Sequence, residues 1–495
     1  MRNSATIVLT RQTSSGPEVY LVERAPQLRF FGGYLAFPGG VVDAVDQGPA
    51  QDDLGLALER CALRELFEET GVLPPALQQA IAPERRKALR ERLLERNSDA
   101  EPWREFLPAV DLARADLRLL TKITTPPFAP LRHTTPFLHM ELPAGQEPEI
   151  IQGELVGGAF WKVEALFERW TAGELAVVPP VLFLLEHLRG GDLESFFIKA
   201  RESGEALEAG QLHRAYYSPG VMVAPLRTPT LPPATTTNTV LIGQEHVYIV
   251  DPATPELSEQ ERLFETLDRW VSEGRLLEAV LLTHHHHDHV GAAVAVANRY
   301  DLPVMAHAET FSRVELEGVR QRELKDGDRL MLGNAPDGRE AWQLEVHLTP
   351  GHAHGHLVFI EDRYRTAVVG DLVSTLSTIV IDPPEGHMAT YIDSLHAILA
   401  EDIGVLIPSH GPAHRTGAKT LKYHIQRRVA REEKLLDALK SGNRSHEELL
   451  PLVYDDAPEE VMPYAARSLL AGLIKLSEEQ RAREIGGRWS LCAKS

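Results

Sequence analysis

Short apolar runs alternate with amphipathic stretches along the whole chain, and this pattern predicts an α/β protein. Up to about residue 195, candidate strands lie between helical stretches, of which Leu54–Thr70 is the clearest. From about 215 to 415, short apolar strands separated by Gly, Pro and Asp turns predict an α/β sandwich. After Lys419 helical periodicity dominates. The predicted strands are 5–9, 19–23, 136–141, 159–162, 220–225, 247–251, 280–282, 367–371 and 405–408.

These three stretches differ in pattern, which predicts several domains. With 495 residues the chain is too long for one compact domain. The boundaries that we predict are a first domain at 1–195, a helical connector at 196–214, a second domain at 215–415 and a small helical domain at 416–495. The number of subunits is not predicted by any pattern in the sequence.

Composition and charge exclude several classes. The chain is 43% hydrophobic and 25% charged, an ordinary globular balance. Its net charge of -20 argues against broad nonspecific attraction to nucleic acid or to an anionic membrane. Cys61 and Cys492 are the two cysteines, so we expect no disulfide framework. With no secretory h-region and no long apolar run, we expect a soluble cytoplasmic protein without a membrane partner.

A glycine turn and an acidic helix carry the first candidate chemistry. Gly39 and Gly40 precede the predicted helix 54–70. Glu65, Glu68 and Glu69 are spaced so that their carboxylates can converge on one helix face. Such a cluster is costly unless cations compensate it, and oxygen ligands favour Mg²⁺ or Mn²⁺, which also bind substrate phosphates. The alternative is a solvated acidic face.

Residues 64–72 read Arg-Glu-x-x-Glu-Glu-x-Gly-Val after the glycine turn, and this resembles the Nudix box. The resemblance implies an α/β/α sandwich that cleaves diphosphates linked to another moiety. It also implies a catalytic and metal-binding set on the helix, consisting of Arg64, Glu65, Glu68 and Glu69.

The spacing departs from the family pattern, because Gly40 and Arg64 lie ten residues further apart than usual. Leu56 occupies the position expected for the first glutamate of the box, and Asp43 or Glu59 is a candidate replacement. Glu154 lies where the family often places a further metal-binding or base glutamate.

Upstream, residues 24–40 place Arg24, Arg29, Gly39 and Gly40 in a pattern that resembles Nudix coenzyme A diphosphatases. The resemblance implies coenzyme A or an acyl derivative as substrate, with both arginines contacting phosphates by bidentate hydrogen bonds. A nucleoside-diphosphate-linked compound is the broader alternative. The arginines could also merely line the rim of a sheet.

The second candidate site starts at the end of an apolar strand. Residues 284–289 read His-His-His-His-Asp-His, which contains His284, His286, Asp288 and His289. Imidazole and carboxylate ligands suit zinc, iron or manganese. A solvated His-rich loop is the alternative. Further strand ends supply ligand candidates at His352, Asp371 and His410, and a carboxylate at Asp251 that could orient a ligand histidine.

The order of these motifs resembles the metallo-β-lactamase superfamily over about residues 216–414. The resemblance implies an αβ/βα sandwich with two Zn²⁺ ions, or Fe or Mn, and a hydroxide between the metals as nucleophile. By this resemblance His284, His286 and His352 bind one ion, Asp288, His289 and His410 bind the other, Asp371 bridges, and Asp288 also orients the nucleophile. His354 or His356 could donate a proton or be structural. The bridging pattern resembles the glyoxalase and phosphodiesterase branches.

The tail resembles the winged-helix-like domain of the lactamase-β-like group, some members of which are endoribonucleases that act on single strands. Arg427, Arg428 and Arg431 lie on its first helix and could track phosphates, which makes single-stranded RNA a candidate partner. Alternatively they form ion pairs within the protein.

The sequence therefore predicts a bifunctional metal-dependent hydrolase. A Nudix diphosphatase with Mg²⁺ or Mn²⁺ would act on coenzyme A or a nucleotide diphosphate, and a dinuclear hydrolase would cleave a thioester or phosphodiester. In the alternative, the first domain only binds a nucleotide and regulates a single catalytic domain, which is a hydrolase or endoribonuclease.

Overall fold

The computed structural model describes residues 2–28, 31–47, 53–95, 101–126, 132–415 and 417–492. The chain divides into two compact units, Met1–Pro219 and Gly220–Ser495.

The first unit contains a mixed sheet with helices on both faces. The strands of this sheet are β1 (Arg2–Thr13), β2 (Gly16–Arg24), β3 (Leu35–Ala36), β4 (Gly39–Val41), β5 (Arg118–Thr124), β6 (His133–Glu141) and β7 (Leu155–Trp161). The unit also contains the short strand β8 (Ala215–Ser218), which lies outside this sheet. Its helices are α1 (Leu54–Thr70), α2 (Pro75–Ala80), α3 (Pro83–Leu94), α4 (Glu101–Arg104), α5 (Leu107–Ala113), α6 (Val163–Thr171), α7 (Pro179–Leu185) and α8 (Leu193–Glu208).

Strands β3, β2, β1, β6 and β5 are neighbours in that order, while β4 pairs with β1 and β7 pairs with β2. Alternate residues of β1 point to opposite faces, as strand geometry requires. Ile7 and Leu9 belong to one buried cluster, and Val8 belongs to another. The first cluster packs against Leu66 of α1, so the acidic helix is fixed to the sheet by its apolar side.

Helix α1 has the bounds that the sequence predicts. The Asp53 side chain accepts a hydrogen bond from the Gly55 backbone at its start. At its end Gly71 has a φ of 73°, a left-handed conformation that glycine adopts without steric cost.

The segment 196–214, expected to be a connector, contributes instead to the first unit. Helix α8 buries Phe196 and Ala200 in the same cluster as Val8 and Leu166. Apolar burial on this scale fixes a helix to a core, whereas a connector would lie on the surface.

The second unit contains two sheets and a helical C-terminal part. Its strands are β9 (Val221–Arg227), β10 (Thr236–Ile242), β11 (His246–Val250), β12 (Leu276–Leu281), β13 (Val304–Ala306), β14 (Gln321–Glu323), β15 (Arg329–Gly333), β16 (Trp342–Leu348), β17 (Leu357–Glu361), β18 (Thr366–Val368), β19 (Val405–Ile407), β20 (Ala482–Ile485) and β21 (Arg488–Leu491). Its helices are α9 (Leu257–Ser272), α10 (His287–Val290), α11 (Ala293–Tyr300), α12 (Ala308–Phe311), α13 (Met388–Leu399), α14 (Gly417–Lys440), α15 (His446–Val453) and α16 (Met462–Glu478).

One sheet contains β14, β13, β12, β11, β10 and β9 in that order, and the other contains β15 to β19 in chain order. Strands β11 and β12 are parallel, as are β18 and β19. Parallel neighbours end at the same edge of a sheet. The candidate ligands follow β12, β16, β18 and β19, so they lie at strand ends.

Helix α14 contributes to two buried clusters. Leu421 packs with α13 and the β15–β19 sheet, whereas Leu435 and Leu439 pack with α15, α16 and the β20–β21 hairpin. No helix in the described part of the chain is both long and apolar enough to cross a membrane.

The placement of α8 in the first core can be tested by mutation. Phe196 is 0% exposed and Ile198, on the same helix, is 48% exposed. We expect Phe196→Ala to lower the free energy of unfolding by about 3–5 kcal/mol, because it opens a cavity in the core. Ile198→Ala is the control, with an expected change below about 1 kcal/mol because its side chain is already half in water. Urea unfolding measures both, and equal small effects would show that α8 does not stabilise the core.

Candidate metal centres in both units

The first histidine cluster of the second unit brings His284, His286 and His352 together. His284 Nε2 lies 3.0 Å from His286 Nδ1, and His352 Nε2 lies 3.1 Å from the same atom. The loop after β12 carries His284 and His286, and the turn after β16 carries His352. Three ring nitrogens that meet at such distances form a ligand set for one ion.

Hydrogen bonds fix which nitrogen carries the proton. His352 Nδ1 donates to the Val380 carbonyl at 2.9 Å, so its Nε2 is a lone pair. The Thr283 hydroxyl donates to Asp251 at 2.6 Å and therefore accepts from His284 Nδ1 at 3.0 Å. His284 Nε2 is then also a lone pair. At least two lone pairs thus point into the cluster, and a cation would satisfy them.

Asp371 lies between this cluster and a second one. Its Oδ2 is 3.6 Å from His352 Nε2, and its Oδ1 is 3.3 Å from His410 Nε2 and 3.7 Å from His289 Nε2. Asp288 Oδ2 is 3.7 Å from His410 Nε2. The second cluster of ligand atoms therefore contains Asp288, His289 and His410, as the sequence predicts.

Two buried atoms in this cluster fit a divalent cation. His289 Nε2 and Asp371 Oδ1 have no hydrogen-bond partner among the described residues. His410 Nδ1 donates to the Thr236 carbonyl at 3.1 Å, so in the neutral ring Nε2 faces Asp371 as a lone pair. A lone pair beside a carboxylate is repulsive, and a proton or a metal cation between them removes the repulsion.

The electrostatics of the two clusters differ. Burial, with the neighbouring imidazoles, lowers the pKa of His284 well below its ordinary value and that of His286 to about 2, so both rings stay neutral. Burial also lowers the pKa of His289 and His410, but the Asp371 carboxylate outweighs it and the net shift is upward. The second cluster thus favours a positive charge.

Buried partners hold the ligands in place. Asp251 follows β11 and accepts hydrogen bonds from His289 Nδ1 at 2.8 Å and from the Thr283 backbone at 2.8 Å. His356 Nε2 accepts from the Asp371 backbone at 3.0 Å, and burial lowers the pKa of His356 to about 3. A fully buried neutral ring in this position orients Asp371. This contact favours the structural role of His356 over proton donation.

The other histidines of residues 284–289 contact groups outside the two clusters. His285 Nε2 lies 3.4 Å from Glu385, and His287 Nε2 donates to the Pro229 carbonyl at 3.0 Å. His354 is exposed and lies 3.8 Å from Glu385. Glu385 also lies 3.9 Å from His286 Nε2, so it brings negative charge close to a ligand candidate.

In the first unit, Arg64 is the centre of an ion-pair network. It donates to Asp46 through Nε at 2.8 Å and Nη2 at 2.9 Å, and through Nη1 to Glu65 at 2.8 Å and Glu68 at 2.9 Å. Asp46 is fully buried. Bidentate pairing of this kind fixes the guanidinium and therefore the two glutamates.

Neither Asp43 nor Glu59, the two candidates to replace the first glutamate of the Nudix box, belongs to this network. Asp43 caps the turn Ala44–Asp46, and Glu59 pairs with Arg114, so neither contacts Arg64. Leu56 lies in the first turns of α1, partly buried. The carboxylate that pairs with Arg64 is Asp46. The ten additional residues therefore lie between Asp46 and Arg64, and not between Gly40 and Asp46.

The glycine turn lies directly against the glutamates. The Gly39 backbone donates to Glu69 at 3.0 Å. A Cβ atom on Gly40 would lie 2.3 Å from a Glu65 oxygen, so a larger residue there would displace the Glu65 carboxylate. Burial raises the pKa of Glu68 to about 8 and that of Glu69 well above its ordinary value. Carboxylates with such pKa values are stabilised by a nearby cation.

Not every predicted group converges in the first unit. Among the described residues, the groups of at least three ligand atoms within 4.8 Å of one another all lie in the second unit. Glu65, Glu68 and Glu69 share a network but are not that close, because Arg64 takes up two of them. Arg24 has a buried Nε without a hydrogen-bond partner in the described part, Glu154 is exposed, and Arg29 lies outside the described residues.

The three arginines of α14 form contacts within the second unit. Arg427 pairs with Asp456 at 3.2 Å, and Arg431 donates to the same aspartate and to the Val453 carbonyl. Arg428 is buried and donates to the Ile379 carbonyl. Phosphates would have to displace these partners.

Models of three protein families match the chain. They are the NUDIX domain at residues 1–106, the metallo-beta-lactamase superfamily at residues 232–410 and the beta-lactamase associated winged helix domain at residues 445–489. The chain is a metal-dependent hydrolase with a NUDIX domain and a metallo-β-lactamase domain. The multidomain α/β fold predicted from the sequence is confirmed.

Individual relatives are similar to separate parts of the chain. A beta-lactamase-like protein 2 homolog of Drosophila melanogaster is 26% identical over 212 residues, 42% of this chain and 70% of that protein. A hydroxyacylglutathione hydrolase of Photorhabdus laumondii is 35% identical over 120 residues, 24% of this chain and 40% of that protein. The structure of a NUDIX hydrolase from Alicyclobacillus acidocaldarius is 30% identical, covers 38% of this chain and 90% of that one, and has a TM-score of 0.31.

Sequence reasoning missed Asp46 in the NUDIX domain and Glu385 in the metallo-β-lactamase domain. Spacing counted back from Arg64 points to Leu56, whereas spacing counted forward from Gly40 points to Asp46, the sixth position after it. Glu385 lies in a Pro-rich segment with no ligand-like spacing, so no signal in the sequence pointed to it.

The role of Asp46 in the NUDIX domain gives a first test. We expect Asp46→Ala to cost about 3–5 kcal/mol of unfolding free energy, because it leaves a buried guanidinium without its bidentate partner. Asp43→Ala is the matched control, since Asp43 is only an exposed cap, for which the typical cost is about 1 kcal/mol. Urea unfolding measures both. Similar losses would mean that the Asp46–Arg64 pair does not hold the site.

The role of Asp251 in the metallo-β-lactamase domain gives a second test. Asp251→Asn removes the negative charge that accepts hydrogen bonds from His289 and Thr283. It can also place an amide N–H against one of these two donors. We expect zinc affinity to fall about 10–100-fold, as is typical for partners that orient a ligand. Asp268→Asn, at an exposed ion pair on α9, is the control. Zinc retained after dialysis against graded chelator measures the effect, and an unchanged value for Asp251→Asn would rule out this orienting role.

Proposed function

We propose that the chain is a bifunctional hydrolase, in which the NUDIX domain cleaves a diphosphate and the metallo-β-lactamase domain cleaves a thioester or phosphodiester. The observation that carries the proposal is the position of Asp371, whose two oxygens face different clusters of ligand atoms. A carboxylate in that position suits a bridge between two ions.

In the metallo-β-lactamase domain, two Zn²⁺ ions, or Fe or Mn, would polarise the scissile bond and acidify a water molecule. His284, His286 and His352 would hold one ion, and Asp288, His289 and His410 the other. Asp288, whose two oxygens lie 3.9 Å from His289 Nε2 and 3.7 Å from His410 Nε2, would also orient the attacking water. The similarity to a hydroxyacylglutathione hydrolase supports a thioester over a phosphodiester.

In the NUDIX domain, Glu65, Glu68 and Glu69 would hold Mg²⁺ or Mn²⁺ and, with Arg64, carry catalysis. Arg24, half-buried and with an Nε that has no hydrogen-bond partner among the described residues, would contact a phosphate of the substrate, and Gly39 and Gly40 leave room for the glutamates. Coenzyme A, an acyl-CoA or another nucleoside-diphosphate-linked compound has the required diphosphate. An acyl-CoA contains both bonds.

Catalysis by the NUDIX domain is preferred to a purely regulatory role. The altered spacing was the main reason to doubt the site, and Asp46 keeps Arg64 and both glutamates in one network despite it. The internal pairing of Arg427 and Arg431 argues against RNA as the substrate of the second domain.

The test is to incubate an acyl-CoA with protein in which one domain at a time is disabled. With Glu68→Gln and Glu69→Gln, we expect release of 3′,5′-ADP under Mg²⁺ to fall by at least about 100-fold, since these groups hold the metal, while thiol release continues. With Asp371→Ala we expect the opposite pattern.

The same panel includes coenzyme A, a nucleoside diphosphate sugar and a fluorescent single-stranded RNA. Loss of ligand response with unchanged hydrolysis in the Glu68→Gln, Glu69→Gln protein would favour the regulatory alternative. Release of neither thiol nor 3′,5′-ADP by the unmodified protein would contradict acyl-CoA as the shared substrate.

A further inference from the structure

The loop of residues 372–387, which joins the end of β18 to α13, contacts ligand candidates of both clusters. Its Val380 carbonyl accepts the hydrogen bond from His352 Nδ1 at 2.9 Å. Its Ser374 hydroxyl donates to the His410 carbonyl at 3.2 Å. The orientation of the His352 imidazole and the backbone position of His410 therefore depend on where this loop lies.

The C-terminal helices hold the two neighbours of Val380. Arg428 of α14 donates through Nη2 to the Ile379 carbonyl. Ser468 of α16 accepts through Oγ from the Ile381 backbone at 3.1 Å. The peptide groups on either side of Val380 are thus both fixed by side chains that come from the helical part of the unit.

These contacts are buried. His424 is 1% exposed and its Nε2 donates to the Ser374 carbonyl at 2.9 Å. The Arg428 guanidinium lies 5.1 Å from the centre of the Tyr391 ring, and the Tyr391 hydroxyl donates to the Leu372 carbonyl at 2.8 Å. A buried arginine with such partners is part of the interior and cannot also bind an outside phosphate.

Two further contacts reach the same loop from the surface. Arg467 pairs with Asp382 at 2.7 Å, and His387 Nε2 lies 2.8 Å from Glu478. Exposed pairs contribute little by themselves. They show that α16 follows the loop over several residues.

We propose that Arg428 and Ser468 are positioning residues for the metal centre, which act on His352 through the Ile379–Val380–Ile381 backbone. The proposal rests on the metal centre of the proposed function. A carbonyl that accepts from the outer nitrogen of a ligand histidine sets the direction of its lone pair. Without these contacts the loop would sample other positions. The Val380 carbonyl would then no longer hold the His352 ring in the direction of the ion.

The experiment measures zinc bound by the full-length protein after dialysis against graded zinc buffers. We expect Arg428→Gln and Ser468→Ala each to weaken binding of the more loosely held ion by about tenfold, the lower end for partners of ligand histidines. Arg428→Lys should recover part of the loss, because an ammonium can still donate to the Ile379 carbonyl. Arg427→Gln, one residue earlier on the same helix and exposed, is the matched control.

A second control separates positioning from stability. Leu449→Ala opens the C-terminal core away from the loop and should lower the urea midpoint without changing zinc affinity. The visible spectrum of the cobalt-substituted protein should change in Arg428→Gln and Ser468→Ala but not in Leu449→Ala, since only the first two alter the geometry around His352.

If Arg428→Gln and Ser468→Ala both keep the zinc affinity and the cobalt spectrum of the unmodified protein, the positioning role is wrong. The proposed metal centre would still stand. If Arg428→Gln does not fold, Ser468→Ala decides, because that substitution removes one hydroxyl and keeps the shape. An unmodified protein that binds no zinc would overturn the proposed metal centre as well, so the two failures are distinguishable.

Discussion

Each of four histidines in the second unit has its outer ring nitrogen committed to a hydrogen-bond acceptor, and the metal centre depends on this constraint. The acceptors are Thr283 for His284, Asp251 for His289, Val380 for His352 and Thr236 for His410. A neutral ring that donates outward presents a lone pair inward. The acceptors lie in β10, directly after β11 and β12, and in the loop that follows β18, so segments next to both sheets help to orient the ligand candidates.

The NUDIX domain meets a different constraint, the burial of like charges. Glu65, Glu68 and Glu69 are held close by the helix, and the energy of that proximity is lowered by Arg64 and the Gly39 backbone. Because these ligands are all oxygens, the domain suits a hard ion, whereas the mixed nitrogen and oxygen ligands of the other domain suit a softer one. Two such sites on one chain would not need to compete for the same metal.

Much of this could be predicted from the sequence, because strand ends and helix periodicity place residues by simple rules. The bounds of α1 follow from local pattern. The grouping of His284, His286, Asp288, His289, His352, Asp371 and His410 is what the resemblance to the metallo-β-lactamase superfamily implies, and the structure brings these side chains together. Asp46 could not be assigned with certainty, because spacing does not reveal on which side of a motif residue an insertion lies. Phe196 and Arg428 were read as connector and surface residues, since helical periodicity does not say what packs against a helix.

Helix α14 contributes Leu421 to one buried cluster and Leu435 to another, while Ala471 of α16 joins the first. The C-terminal helices thus share a buried core with the metallo-β-lactamase domain. Exchanging them for another domain would disrupt that core. A chain cut before α14 would expose an apolar surface next to the sheet that carries Asp371. Divergence of the tail toward a new partner is therefore restricted to the faces of α14 and α16 that point away from the metallo-β-lactamase domain.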